Sequence, residues 1–587
     1  MNLAFSLKNL RLKDYREISS AAYAEKQDRR VALVDKYLSN FGSGLVARLR
    51  RKTNTEQSFI LAVRRHETEF KELSNEDLRK RAQNLRPQLL DGTFSDEATS
   101  EIFALVVEAT SRVLGFRHRD VQIFGGILLL RGRLLEMATG EGKTVTAVLA
   151  AAAAAFAGLK VHVITVNDYL AKRDFDELSP IYQMLGLTTG LVLEDDEQPG
   201  RQTAYRQNIV YVNNKSVTFD YLRDRLSLGQ KNTRSRLRVS RAFGNPFSTR
   251  SETPLVLDGL QFAIIDEADS VLIDEAKTPL IISSESPDPE DQELYRTSLE
   301  TAAGLTSGED YIYHERDRQI DLTKAGEERI RSLTGGPEGL WQIERARNAM
   351  VNQALQALHC FENGVHYLIV EGKIQIVDEF TGRVMEDRSW EGGLNQLIET
   401  HEGLELTRKR EVIGRITYQS FFRRYQHLCG MTGTAMEVSG EVATEYSMAV
   451  RSVPTDSKIR RWNEGTSIFR TESEKWGKVT TRIIQVAKLQ RRPVLVGLRT
   501  VSGAENLSAA LKASGVPHAV LSAKQDAGEA EIVAEAGRPG RVTVATNMAG
   551  RGTDIKVDDS LDEKGGLHVI LTEYHESVRI DRQRIGR

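Results

Sequence analysis

The sequence predicts an α/β protein built from two doubly wound parallel-sheet domains, with a smaller α+β unit inserted into the first and a helical segment ahead. Three observations support this. Short, β-branched, apolar runs, KVHVITV (160–166), NIVYVNN (208–214) and QFAIIDE (261–267), alternate with helical stretches from about 100 to 277, as strands buried on both faces of a parallel sheet do. The same texture returns near 494 in PVLVGLR, HAVLS, RVTVATN and GGLHVILT. Between the two lies SSESPDPEDQE (283–293), polar and turn-rich, which reads as a boundary.

Composition bounds the class. The 587 residues are 40% hydrophobic and 28% charged, ordinary for a globular protein with several cores. Lys and Arg number 80 against 82 Asp and Glu, a net charge of −2. A protein living on nucleic acid usually carries a basic excess, so no nucleic-acid partner is expected. Cys360 and Cys429 stand alone, without CxxC or HExxH spacing; neither a disulfide framework nor a zinc site is expected, and a reducing, cytoplasmic setting is. The start, MNLAFSLKNLRLKDYRE, lacks the apolar core of a signal peptide. The alanine-rich stretch between Lys143 and Lys160 falls short of the ~18 to 20 apolar residues of a membrane span, so membrane contact is expected to be peripheral.

Taken in order, residues 1–95 read as a basic helical segment. Ser74 followed by Asp77 has the form of a helix start. The first 52 residues carry 12 Lys and Arg against 5 Asp and Glu, and Leu3, Leu7 and Leu10 share a helical face largely apart from Lys8, Arg11 and Lys13. Two readings stand: a surface helix drawn to anionic lipid, or a helix docked on its own protein. Residues 96–278 form the first part of the first α/β domain. An α+β insertion occupies 279–376, with hairpins in YIYHERDRQIDLT and in YLIVEGKIQIVDE, the latter turning at Glu371-Gly372-Lys373. Residues 377–435 return to the first domain, and 436–587 make the second.

Thr139-Gly140-Glu141-Gly142-Lys143-Thr144 opens a helix directly after two glycines. Glycines let backbone amides approach phosphate, and the helix dipole favours it there. Lys143 supplies a cation for the outer phosphates and Thr144 a hydroxyl for Mg2+. The strict loop pattern places glycine at the position of Met137, a position that helicase-like ATPases relax. Downstream, Phe262-Ala-Ile-Ile-Asp266-Glu267-Ala268-Asp269 runs an apolar strand into carboxylates, 123 residues past Lys143 (266 − 143). Asp266 at the strand end suits Mg2+, and Glu267 suits polarisation of an attacking water. Gln122, in DVQIFGG, is an amide suited to the adenine edge. In the second α/β domain, Gly550-Arg551-Gly552-Thr-Asp554 follows a strand. Arg551 suits phosphate charge and Asp554 a ribose hydroxyl. Arg587, after Gln-x-x-Gly, suits an arginine finger in cis. Two such domains around one nucleotide make a cleft that closes with ATP and opens after hydrolysis.

Several motifs go further. DVQIFGG, MATGEGKT, TVNDYLAKRD, NN…FDYLRD, DEADSVLIDEAKTPLIIS, VDEFTGR, CGMTGTA and ATNMAGRGTDI, closing with GGLHVI and HES, make the chain resemble the SecA family of bacterial preprotein-translocating motor ATPases from about residue 40 onward. General DEAD-type helicases share only the phosphate loop, the acidic motif and the two-domain plan. The resemblance implies two RecA-like, DEAD-type ATPase domains. It implies an ATP and Mg2+ site from Gln122, Gly140, Glu141, Gly142, Lys143, Thr144, Asp266, Glu267, Arg551 and Asp554, and an insertion that clamps unfolded preproteins. It implies the Sec protein-conducting channel and anionic inner-membrane lipids as partners, allows a homodimer, and places the protein in the cytoplasm and on the cytoplasmic face of the bacterial inner membrane. The family pattern continues past Arg587 with a second Gly-Arg and further domains, among them a zinc-binding tail in many members. A fragment and a shortened paralogue that binds ATP without full translocation both fit. A nucleic-acid helicase is the competing function.

Overall fold

The computed structural model describes the chain apart from residues 1–9, 12–22, 27–53, 91–92, 229–254, 258, 286–290, 315–318, 334–342, 365, 371, 378–383, 386–389, 391–392, 407–409, 500, 522–531, 534, 546–554, 562–563, 575–578, 580 and 583–587. It divides into two compact units, one of Met1–Leu280 with Arg415–Arg587 and the other of Ile281–Gly414.

In the first unit, the apolar runs become strands of a seven-stranded sheet. These are Leu134–Glu136 (β1), Val161–Thr165 (β2), Thr189–Val192 (β3), Ile209–Asn213 (β4), Phe262–Ile265 (β5), His427–Thr432 (β6) and Val450–Ser452 (β7). Their order is β7-β1-β6-β5-β2-β4-β3, and every pairing is parallel. β2, β4 and β5 are buried at every position, which explains why they read as unbroken apolar runs rather than alternating ones.

The alanine-rich stretch is helix Lys143–Phe156, with Ala150 to Ala154 wholly buried. An apolar surface all round marks a helix inside a core rather than on its edge. Small side chains let neighbours come close. Helix Asp120–Leu130 meets it through Gly125 and Gly126, where a Cβ would stand 2.8 Å from the Thr146 methyl and 2.9 Å from Leu149 Cβ. The paired glycines of DVQIFGG therefore set the distance between these two helices.

Ahead of the sheet, helices Asn54–Phe70, Asn75–Leu90 and Asp96–Leu114 cover this core. Ser74 caps the second as its spacing implied: the Asp77 amide donates to Ser74 Oγ at 3.2 Å. The most N-terminal described residues are not helical. Leu10–Arg11 is a strand paired antiparallel with Thr93–Phe94, so the expected helical face through Leu3, Leu7 and Leu10 does not hold at Leu10; Leu3 and Leu7 lie outside the described residues. Residues 23–26 dock as an extended strip. Ala24 bridges Gly259 and accepts from the Leu260 amide at 2.6 Å, and the Lys26 amide donates to the Arg424 carbonyl at 2.7 Å. Beside it, buried Asp224 accepts from the amides of Val256 and Leu257 and from the Tyr23 hydroxyl, at 2.7, 2.8 and 3.2 Å.

A second parallel sheet completes this unit, from Val494–Gly497 (β8), Ala519–Leu521 (β9), Val542–Ala545 (β10) and His568–Leu571 (β11), in the order β9-β10-β8-β11. Val496, Leu507, Leu511, Val544 and Ile483 fill its core.

The other unit packs helices Asp291–Ala303, Glu344–His359 and Leu394–His401 around Tyr295, Leu355, Leu397 and Ile398. It carries a hairpin of Tyr311–His314 with Gln319–Leu322 and an antiparallel sheet of Tyr367–Val370, Lys373–Val377 and Val384–Met385. Its far limit, Gly414, lies beyond the residue 376 expected from sequence; Leu397 and Ile398 are wholly buried in this unit's core. The segments that lead into and out of it, Pro279–Glu285 and Arg410–Thr417, pair as a two-stranded sheet.

Asp224→Ala should orphan two buried amides at once and lower stability by roughly 2–4 kcal/mol, whereas Tyr23→Phe should lose about 1 kcal/mol. Denaturant unfolding of both variants checks this; equal losses would show that Asp224 does not hold the 256–257 turn.

Candidate active site

The carboxyl ends of β1, β5 and β6 and the start of helix Lys143–Phe156 converge on one region, where open α/β sheets bind ligands. Gly140 and Gly142 take φ of 81° and 83°, values that other residues adopt only with strain. At Gly142 a side chain would also meet the Gln122 amide nitrogen at 2.5 Å from Cβ. Gln122 is buried; its Oε1 accepts from the Arg119 amide at 2.9 Å and its Nε2 donates to the Glu141 carbonyl at 2.8 Å. The expected adenine-facing amide thus buckles onto the phosphate loop itself.

Lys143 Nζ donates to Glu267 Oε1 at 2.8 Å, both side chains nearly excluded from solvent. Glu267 sits at φ 47°, a left-handed conformation uncommon for a non-glycine residue and concentrated at functional sites. Its amide donates to Asp266 Oδ1 at 2.9 Å. Burial, and then the neighbouring Glu267 carboxylate, push Asp266 up to about 7, with Lys143 opposing the rise. Thr144 lies in the first turn of the same helix, half-buried. The structure therefore brings Gln122, Gly140, Glu141, Gly142, Lys143, Thr144, Asp266 and Glu267 together. Arg551, Asp554 and Arg587 lie outside the described residues.

Carboxylate and hydroxyl oxygens beside a cationic Lys make a donor set suited to Mg2+ on a phosphate chain, since Mg2+ takes hard oxygen ligands and shares them with the substrate's phosphates. Nearby, Arg173 is ion-paired with Asp174 at 2.6 Å; Asp266 helps hold the Arg173 guanidinium charged, while Asp174 pushes the Asp266 carboxyl further up.

Other residues emerge only in three dimensions. Asp269, the last residue of Asp-Glu-Ala-Asp, is wholly buried; Thr434 Oγ1 donates to its Oδ2 at 2.8 Å and Arg579 to the same oxygen at 2.6 Å. Arg579 also pairs with Asp274. Glu136 Oε2, at the end of β1, accepts from the amides of Ala435 and Met436 at 2.8 and 2.7 Å, while Arg582 faces Glu136 and Glu437. Two arginines just beyond β11 thereby tie the second sheet's end of the chain to the acidic motif and to CGMTGTA. The only sequence signal for them is their position beside HES.

Comparison with known proteins agrees with this geometry. Residues 43–443 match the SecA DEAD-like domain and residues 458–564 the SecA P-loop domain. The chain belongs to the SecA family. It is 45% identical to protein translocase subunit SecA 2 of Nitrosospira multiformis over 97% of its own length and 85% of that protein's. It is 42% identical to protein translocase subunit SecA 3 of Magnetococcus marinus, spanning 79% of it. It is 41% identical to protein translocase subunit SecA of a Nitratiruptor species, spanning 60%. Nothing in these matches favours the nucleic-acid helicase alternative.

Arg579→Ala should strand a buried carboxylate at Asp269 and destabilise the chain by about 3–5 kcal/mol, while adding Asp269→Ala should recover part of that loss. A double-mutant cycle by thermal unfolding measures it; purely additive losses would show that the two residues do not form a working pair.

Proposed function

We propose that this chain is an ATP-driven motor of SecA type, which hydrolyses ATP and couples it to moving unfolded preproteins through the Sec channel of the bacterial inner membrane. The observation that carries the reading is the phosphate loop placed against the Asp266–Glu267 strand end, with Lys143 bonded to Glu267.

The chemistry is divided among these residues. Gln122 and the Gly140–Thr144 turn receive adenine and phosphates, and Lys143 leaves Glu267 for the outer phosphates when nucleotide enters. Glu267, released from Lys143, accepts a proton from the attacking water. Asp266 and Thr144 would hold Mg2+, which when bound neutralises phosphate charge. Arg551, Asp554 and Arg587 complete the site from the second domain in this reading.

For the substrate, support comes from the unit Ile281–Gly414. Its sheet order leaves Tyr367–Val370 at an edge, with Leu368, Ile369 and Val370 partly exposed. An edge strand pairs with extended polypeptide through backbone hydrogen bonds, tolerant of sequence. No described helix is long and apolar enough to cross a membrane. Attachment at the cytoplasmic face through the basic N-terminus and anionic lipid, and homodimer formation, belong to the same proposal.

ATP hydrolysis should rise with unfolded preprotein and channel-containing membranes and not with RNA; stimulation by RNA alone would reverse the assignment. Lys143→Ala should abolish nucleotide binding, whereas Glu267→Gln should keep it and lose at least ~100-fold in turnover. Proton uptake adds a pH dependence. Asp266 must be ionised to hold Mg2+, and its carboxyl is raised to about 7. Mg·ATP affinity should therefore be full above pH 7 and fall up to about tenfold per unit below it. Titration calorimetry across pH 6–8 checks the slope, and a flat profile contradicts it.

A further inference from the structure

We propose that His118 is a positioning residue for nucleotide: its ring ties the first turn of the phosphate-loop helix to the segment bearing Gln122, so that base and phosphates are held in one register. The inference rests on the reading of Gln122 as the adenine-facing amide.

His118 lies between helices Asp96–Leu114 and Asp120–Leu130 and is 1% exposed. Its Nε2 stands 2.8 Å from the Val145 carbonyl, and its Nδ1 is buried without a hydrogen-bond partner among the described residues. A carbonyl can only accept, so Nε2 carries the proton. Burial pushes the ring down to about 4, which keeps it a neutral donor. Four residues on, Gln122 donates to the Glu141 carbonyl at 2.8 Å. Glu141 and Val145 flank Gly142-Lys143-Thr144, so one short segment grips the phosphate-binding turn from both sides.

That segment is itself braced. Arg64 donates to the His118 carbonyl at 2.8 Å and to Asp120 Oδ1 at 2.7 Å. Buried Glu67 receives Arg64 at 2.9 Å and also pairs with Arg117. A histidine that only filled space would need none of this alignment, and its loss would change stability alone. A histidine that sets the register of the turn changes how tightly, and how selectively, nucleotide binds.

The test measures dissociation constants for ATP and GTP on the full chain and on His118→Phe, His118→Met, His118→Gln and Gln122→Ala, with thermal unfolding confirming that each is folded. His118→Phe, or His118→Met where the larger ring fails to pack, should weaken ATP binding about tenfold and reduce the preference for ATP over GTP, as an orphaned buried carbonyl relaxes the turn. His118→Gln, whose amide can reach the same carbonyl, should restore both. Wild-type ATP affinity and selectivity in a folded apolar variant, or no rescue by Gln, overturns the proposal. Gln122→Ala separates the underlying reading. If it leaves selectivity intact, Gln122 does not read the base, and the His118 tie then stands or falls on ATP affinity and its rescue.

Discussion

A largely covered lysine and a buried glutamate at the seam between a glycine turn and a strand end constrain the whole catalytic domain. Lys143 and Glu267 come from elements 124 residues apart, and only the β1-β6-β5 arrangement of the sheet brings them face to face. Neither charge would be tolerated there alone, since an isolated ion loses several kcal/mol of hydration on burial. The two charges neutralise each other, and in the proposed mechanism they are the groups that meet phosphate and water. The left-handed backbone at Glu267 is held in place by this bond and by the Asp266 carboxylate.

Around this pair, each further motif acts through what it holds. Asp269 is committed to Thr434 and Arg579, and Glu136 to the amides of Ala435 and Met436. The loop after β6 is therefore pinned by carboxylates from β1 and from the acidic motif. The arginines beyond β11 reach the same two carboxylates.

Much of this was legible from residue order. Unbroken β-branched runs read as strands covered on both faces, and Gly142-Lys143-Thr144 before a helix reads as a phosphate turn once the Asp266-Glu267 strand end downstream is set beside it. The Ser74–Asp77 cap and both hairpins followed from local chemistry. What sequence hid depends on distance. The pairings of His118 with Val145 and of Asp269 with Arg579 carry no sequence signal, and only the fold makes these residues neighbours. Leu397 and Ile398 have the periodicity of any amphipathic helix, which says that they are buried but not in which core. The leucines at 3, 7 and 10 suggested a helix, yet Leu10 is drawn into pairing with Phe94, because a partner strand offers backbone hydrogen bonds that periodicity does not register.

The account is tested most directly by a crystal structure of this chain with Mg2+, ADP and a γ-phosphate mimic. It predicts Lys143 Nζ on the phosphate mimic, Glu267 parted from Lys143 and bonded to a water in line with it, and Arg551 brought to the phosphates. Nucleotide bound while Lys143 and Glu267 remain paired as they are here would contradict it.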